Sequence, residues 1–117
     1  MAFTVIKNDE HQVVVKVVGG VTNTISLASL AYQGVTPTGA MIKSVFYSSD
    51  PDDAIEILRD TGGTPNNILD FWGSGYIDFM EKFGCPIAES SNQDIGVNPK
   101  NSSNNHFTII LDLIKQV

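Results

Sequence analysis

The run at residues 106–115, His-Phe-Thr-Ile-Ile-Leu-Asp-Leu-Ile-Lys, constrains the fold more than any other part of the chain. Side chains alternate between the two faces of a β-strand, so each face can be read from the sequence. One face of this run is wholly apolar: Phe107, Ile109, Leu111 and Leu113. The other face is mixed: Thr108, Ile110, Asp112 and Ile114. We therefore expect a central strand that the earlier strands must cover.

The remaining segments predict an all-β fold. We expect strands at residues 3–7, 11–18, 22–31, 41–48, 54–59 and 93–97, with a bulge near Ala28 and Ser29 in the third of them. Along residues 41–48 we expect Ile42, Ser44 and Phe46 to share one face. Turn residues separate the segments and no helical period is strong, which favours a single antiparallel β-sandwich or jelly roll over residues 1–117.

Composition narrows the class of protein. With 117 residues, of which 42% are hydrophobic, the chain is long enough for one domain with a core. No apolar run reaches the ~20 residues of a membrane helix. The start lacks the basic region and cleavage site of a signal peptide, so we expect synthesis in the cytoplasm and no membrane partner. The single cysteine, Cys85, excludes an intrachain disulfide.

The charge pattern argues against nucleic-acid binding. Seven basic residues stand against thirteen acidic ones, for a formal net charge of −6, and no two basic residues are adjacent. Phosphate binding depends on clustered Lys and Arg side chains. We therefore expect no nucleic-acid partner.

Residues 67–82 can be drawn as a β-hairpin with Gly73-Ser74-Gly75 as its loop. This pairing places Trp72 opposite Tyr76 and Asp70 opposite Asp78. It leaves one apolar face that should point inward: Leu69, Phe71, Ile77 and Phe79. The opposite face, with Trp72 and Tyr76, should be exposed or at an interface. We expect an interface that comprises Trp72, Tyr76 and Tyr47, with a protein as the favoured partner and sugar stacking or packing under a loop as alternatives.

Other groups suggest chemistry less strongly. Opposed Asp70 and Asp78 fit the nucleophile and acid of a retaining glycosidase, but two solvated aspartates fit as well. Three aspartates in one turn, Asp50, Asp52 and Asp53, offer oxygen atoms to calcium, although a turn of this composition needs no metal. Cys85 with a histidine, either His11 or His106, is a further combination, and buried structural cysteines are commoner. We expect no catalytic residues, metal or cofactor.

Several segments together resemble one kind of protein. They are residues 25–31 (Ile-Ser-Leu-Ala-Ser-Leu-Ala), 42–48 (Ile-Lys-Ser-Val-Phe-Tyr-Ser), 54–59 (Ala-Ile-Glu-Ile-Leu-Arg), 68–79 (Ile-Leu-Asp-Phe-Trp-Gly-Ser-Gly-Tyr-Ile-Asp-Phe) and 108–115 (Thr-Ile-Ile-Leu-Asp-Leu-Ile-Lys). This set resembles small all-β virion structural proteins of tailed bacteriophages, notably marine ones, of the capsid decoration or cement type.

The resemblance implies a β-sandwich without catalytic residues or cofactors. It would form a homo-oligomer, such as a trimer, bind the major capsid protein and lie on the capsid surface of the virion. Two alternatives remain open at this stage. One is a component of the phage neck, tail or fibre, and the other is a small carbohydrate-binding module.

Overall fold

The structure, a computed structural model, describes residues 3–19, 23–49, 54–61, 64–79, 94–99 and 107–116. These residues form two antiparallel β-sheets, which confirms the predicted all-β sandwich. Nine strands occur in the described residues: β1 Phe3–Asn8, β2 Gln12–Val18, β3 Asn23–Ile25, β4 Gly39–Ser49, β5 Ala54–Thr61, β6 Thr64–Trp72, β7 Ser74–Asp78, β8 Ile95–Pro99 and β9 Phe107–Gln116. One short 3-10 helix, Leu27–Leu30, lies between β3 and β4.

The two sheets are built from nested antiparallel pairs. β2 pairs with β9, β3 with β8, β4 with β7 and β5 with β6, so the chain runs as one long hairpin wrapped into two layers. Pairing of β9 with β4 and of β8 with β5 then joins these pairs into sheets of order β1-β2-β9-β4-β7 and β3-β8-β5-β6. Eight strands nested in this way form a jelly roll, and β1 extends the larger sheet by one edge strand.

β9 is the central strand of the larger sheet, as its sequence predicts. It pairs with β2 on one side and with β4 on the other. The predicted inner face is buried: Phe107, Ile109, Leu111 and Leu113. The smaller sheet supplies buried residues to the same core: Ile25, Ile55, Ile57, Ile95 and Val97. The strict alternation of β9 therefore sets the position of the core.

The expected third strand, residues 22–31, is wrong beyond Ile25. The chain leaves β3 there and forms the 3-10 helix, whose first turn is capped by Ser26. The Ser26 Oγ accepts a hydrogen bond from the Ser29 backbone N–H at 3.3 Å. The change in side-chain alternation that suggested a bulge is therefore caused by a helical turn. The N-cap serine accepts a hydrogen bond from a backbone N–H that would pair with a neighbouring strand if this segment were extended.

The predicted alternation along residues 41–48 is also wrong, since β4 carries a bulge. Its pairing with β9 shifts between Ile42 and Ser44. Ile42 lies opposite Leu113 and Val45 opposite Leu111, so both point into the core. The extra residue of a bulge changes the phase of the strand that contains it, which simple alternation cannot foresee.

The predicted hairpin of residues 67–82 does not form. β6 pairs with β5 in the smaller sheet, whereas β7 pairs with β4 in the larger one. Asp70 lies opposite Glu56, and Asp78 lies opposite Ser44, so the two aspartates are not a pair. Gly73 is a crossover between the sheets, and residues beyond Phe79 in the predicted hairpin lie outside the described ones.

No helix among the residues described is both long enough and apolar enough to span a membrane.

Candidate functional site

Exposed aromatic side chains line one side of the sandwich, where β6 and β7 are the outermost strands of their sheets. Tyr76 on β7 is 61% exposed, and Phe46, directly opposite it on β4, is 45% exposed. Ile110 of β9 follows Phe46 in the same cross-strand row and is half-buried. Large apolar side chains aligned on an outer sheet face are typical of a surface that contacts a partner.

Trp72 lies at the end of β6, in the other sheet, and is 55% exposed. Its neighbour Phe71 is buried in the core, so alternation directs Trp72 outward. Trp72 and Tyr76 thus point out from different sheets and do not stack as one platform. Both belong to one side of the sandwich, because only Gly73 separates β6 from β7. We call Phe46, Trp72 and Tyr76 the aromatic edge.

Tyr47, the third predicted interface residue, faces between the sheets. Its ring stacks on Phe71 with centroids 4.6 Å apart and planes at 30°. Its hydroxyl lies over Gly75, where a Cβ would approach the oxygen to 2.6 Å. Tyr47 therefore supports the aromatic edge from inside, because its ring holds β4 against β6 and covers the glycine of β7.

The crossover at Gly73 positions the two strands of the aromatic edge. Gly73 has φ +70°, a conformation that glycine adopts without steric cost. Its carbonyl accepts a hydrogen bond from the Ser49 N–H at 2.7 Å, which ties the crossover to the end of β4. This one residue turns the chain from one sheet into the other.

Asp70 and Asp78 do not form the opposed pair that the sequence suggested as a catalytic site. Asn67 Nδ2 donates to Glu56 Oε2 at 2.6 Å and to Asp70 Oδ1 at 2.9 Å. Asn98 Nδ2 donates to Glu56 Oε1 at 3.0 Å. These amides satisfy carboxylate oxygens on the outer face of the smaller sheet, so the cluster is a hydrogen-bonded surface patch.

Five of the suggested ligands or nucleophiles lie outside the described residues: Asp50, Asp52, Asp53, Cys85 and His106. Within the residues that the structure does describe, no three His, Cys, Asp or Glu side chains are grouped to hold a metal ion.

A second candidate site, which the sequence analysis missed, is a pocket of about 250 Å³ at one end of the sandwich. It is lined by Glu10, Tyr32, Gln33, Val35 and Lys115. Lys115 continues the inward parity of Phe107 to Leu113 on β9 and is only 5% exposed. The alternation along β9 could have revealed this site from the sequence. A lysine at an inward-facing position at the end of a core strand has to place its charged ammonium group near the surface.

Two turns form the walls of this pocket. In the first, Asp9 Oδ1 accepts the backbone N–H groups of His11 at 2.9 Å and Gln12 at 2.8 Å. In the second, Tyr32 and Val35 exchange two backbone hydrogen bonds of 3.0 Å around Gln33 and Gly34, whose φ values are 51° and 80°. Positive φ at both central residues identifies a type I′ turn.

Side chains from three distant parts of the chain hold the pocket together. The Lys115 Nζ donates to the Asp9 backbone carbonyl at 2.6 Å and lies 5.5 Å from the centre of the Tyr32 ring. The Asn8 Nδ2 donates to the Ala31 carbonyl at 3.1 Å and so links the first turn to the second. Burial lowers the pKa of Lys115, and the negative charge of Asp9 opposes that effect.

Comparison with known proteins gives no family assignment. No protein-family model matches the chain, and no curated protein shows significant similarity to it.

Proposed function

We propose that this chain is a structural protein of a bacteriophage virion, a capsid decoration protein that binds the outside of the shell. It would contact the major capsid protein and further copies of itself, and would clamp neighbouring coat subunits against internal pressure. A protein that binds only the assembled shell stabilises that shell by mass action. No catalytic group or cofactor has a part in this role.

The aromatic edge is the observation that carries the proposal. Phe46, Trp72 and Tyr76 are each about half exposed or more, although they are among the largest apolar side chains of the chain. Aromatic residues are enriched among those that contribute most to binding in protein interfaces, where they fill desolvated pockets. A partner that covers any of these side chains would remove a large apolar surface from water.

The fold and the charge are compatible with this role. Jelly rolls occur in viral capsid proteins, and they also occur in lectins and cupins, so the fold by itself does not select a function. The resemblance of several segments to phage decoration proteins favours the first of these. A net charge of −6 also favours a place outside the shell, since packaged DNA would repel an acidic protein.

The test of the proposal is co-sedimentation of the purified chain with empty shells of the phage that encodes it. Phe46→Ala and Tyr76→Ala should each weaken binding by at least about tenfold, or about 1.4 kcal/mol, as loss of an interface aromatic does. Trp72→Ala should also weaken shell binding while the chain remains folded, because its side chain lies outside the core.

The matched control is Thr4→Ala, at the far end of the same cross-strand row of the larger sheet. It should bind shells as the unmodified chain does. Tyr47→Ala is unsuitable as an interface probe, because loss of the stack on Phe71 should lower stability as well. If all three aromatic variants bind shells normally, or the unmodified chain does not bind them, the decoration role is wrong.

The two alternative functions, a neck, tail or fibre component and a carbohydrate-binding module, predict different experimental results. Electron microscopy of virions should show density for the chain over the shell. Density at the neck, tail or fibre would favour a role there. A carbohydrate-binding module would keep Trp72 and Tyr76 free in solution, and a glycan array would then give binding that Trp72→Ala abolishes.

A further inference from the structure

We infer that the pocket at the end of the sandwich binds a small monocarboxylate, whose carboxylate pairs with the buried ammonium group of Lys115. The lining residues come from the turn after β1, the type I′ turn and the end of β9. None of them belongs to the aromatic edge, so this inference stands independently of the proposed docking to a shell.

The ammonium group of Lys115 has fewer partners than its burial requires. It carries three N–H donors, and the contacts shown are one backbone carbonyl, of Asp9, and the face of Tyr32. Among the residues that the structure describes, no carboxylate forms an ion pair with this ammonium group. A charge taken out of water is costly unless an opposite charge or several hydrogen bonds compensate it, and a bound carboxylate would supply both.

The carboxylates of Asp9 and Glu10 do not take the place that a bound carboxylate would have beside the Lys115 ammonium group. The Asp9 side-chain oxygen already accepts the N–H groups of His11 and Gln12, so it is held in its own turn. Glu10 lines the pocket, but its side chain is 76% exposed and lies beside His11. Its negative charge should weaken the binding of an anion without abolishing it, because water screens an exposed charge.

The lining also indicates the size and character of the ligand. The Tyr32 ring and Val35, which is 55% exposed, offer apolar surface next to the cation. The pocket, at about 250 Å³, lies just below the range of roughly 300–1,000 Å³ that is typical of drug-sized ligands. A short aliphatic or a single-ring carboxylate matches that volume and combines one anionic end with an apolar body.

The experiment is an NMR titration of the folded, isotopically labelled chain with benzoate and isobutyrate. Benzamide and isobutyramide serve as neutral isosteres, and inorganic phosphate as an anion without an apolar part. Both carboxylates should produce saturable shifts at the backbone amides of residues 32–35 and 115. The two amides and phosphate should produce none, since they lack either the charge or the apolar body.

Two variants that remove charges of opposite sign from the pocket test whether the ligand binds there. Lys115→Met should weaken carboxylate binding by at least about tenfold, and Glu10→Gln should strengthen it. Lys16→Met removes an exposed lysine of β2 and should change nothing. Circular dichroism establishes that each variant is folded, and Glu10→Gln tests the site even if Lys115→Met does not fold.

Four results would overturn the inference. Equal shifts from benzamide and benzoate would show that charge has no part in binding. Equal loss of carboxylate binding in Lys16→Met and Lys115→Met would show that the ligand is held only by nonspecific attraction between charges. Absence of saturable shifts in both the unmodified chain and Glu10→Gln would show that the pocket does not bind small carboxylates. Equal binding of phosphate would overturn the ligand class.

Discussion

Leu111 lies at the centre of the larger sheet, opposite Val15 of β2 and Val45 of β4, and its side chain is fully buried. Asp9 has the contrasting role of a surface residue whose side chain organises a turn. The first contributes to stability through apolar burial and close packing, and the second through hydrogen bonds to backbone donors. Substitution of Leu111 should therefore lower the free energy of unfolding through loss of packing, whereas substitution of Asp9 should lower it by an amount that depends on pH.

We predict that Leu111→Ala lowers the free energy of unfolding by about 2–5 kcal/mol, as buried leucine truncations do. The reason is the loss of apolar burial together with the cavity left in a packed core. Urea denaturation measures the change. Ile110→Ala, on the half-buried outer face of the same strand, is the matched control and should lose clearly less. A loss below about 1 kcal/mol at Leu111 would contradict its place in the core.

Asp9 should make the stability depend on pH in the acid range. Hydrogen bonds from the backbone N–H groups of His11 and Gln12 hold the pKa of Asp9 below its ordinary value of 3.8. A carboxyl group with a lowered folded-state pKa stabilises the fold above its unfolded-state pKa, and the contribution is lost as the pH falls through the folded-state value. The stabilising effect should therefore be complete at pH values well above 3.8.

The measurement compares the unfolding free energy of the unmodified chain with that of Asp9→Ala across this range. The difference should be constant near neutral pH and shrink as the pH falls below 3.8. Asp9→Asn keeps an accepting oxygen but does not titrate, so its difference from Asp9→Ala should not vary with pH. A gap between the unmodified chain and Asp9→Ala that is the same at every pH would count against the Asp9 hydrogen bonds.

At the scale of elements, the decisive feature is the crossover between β6 and β7. A single residue, Gly73, separates the last residue of one strand from the first residue of the next. The two strands then enter different sheets, and each becomes an edge strand. The inward stack of Tyr47 on Phe71 holds the sheets together beside this point. The aromatic edge therefore depends on a backbone conformation as well as on its side chains.

We predict that Gly73→Ala destabilises the protein by about 1–2 kcal/mol, which is the cost of a left-handed conformation for a residue with a Cβ. Apart from residue 73 and its two chain neighbours, no heavy atom lies within 4 Å of the Cβ position, so the cost is conformational and not a clash. Gly73→Asn should cost less, because asparagine tolerates this region better. Thermal unfolding of both variants measures the difference.

The control for this prediction is Ser74→Ala, at the exposed first residue of β7. It should change stability by no more than about 0.5 kcal/mol, as surface substitutions usually do. If Gly73→Ala proves equally neutral, residue 73 does not have a positive φ, and the crossover takes another form.

At the scale of the whole molecule, acidity is the property that most limits the partners. Thirteen acidic residues outnumber seven basic ones, and the basic residues are dispersed along the sequence. Dispersed lysines cannot release counterions from several adjacent phosphates together, which is the source of most affinity for DNA.

We predict no stable binding of the chain to duplex DNA at physiological salt. An electrophoretic mobility assay with a fluorescent duplex measures this directly. A retarded band that weakens as salt is added would contradict the prediction and would favour a place inside the capsid. Such a result would also weaken the proposed position on the outside of the shell.

Much of the fold follows from the sequence, because alternation acts locally. The inward face of β9 and the outward direction of Trp72 and Tyr76 follow from side chains that change face at each residue. The positions of β1, β2 and β5 follow from strand-forming segments separated by turn residues. Hydrophobic burial then decides which face is the inner one. These features required no knowledge of which strands lie side by side.

Strand partners were decided only by the tertiary structure. Alternation is the same whether β6 and β7 form a hairpin or separate into two sheets, so it fixed the directions of Trp72 and Tyr76 but not their neighbours. The bulge in β4 likewise depends on pairing with β9. The pocket joins Asp9, Tyr32 and Lys115, which are far apart in sequence and meet only because the nested pairing brings their segments to one end of the sandwich.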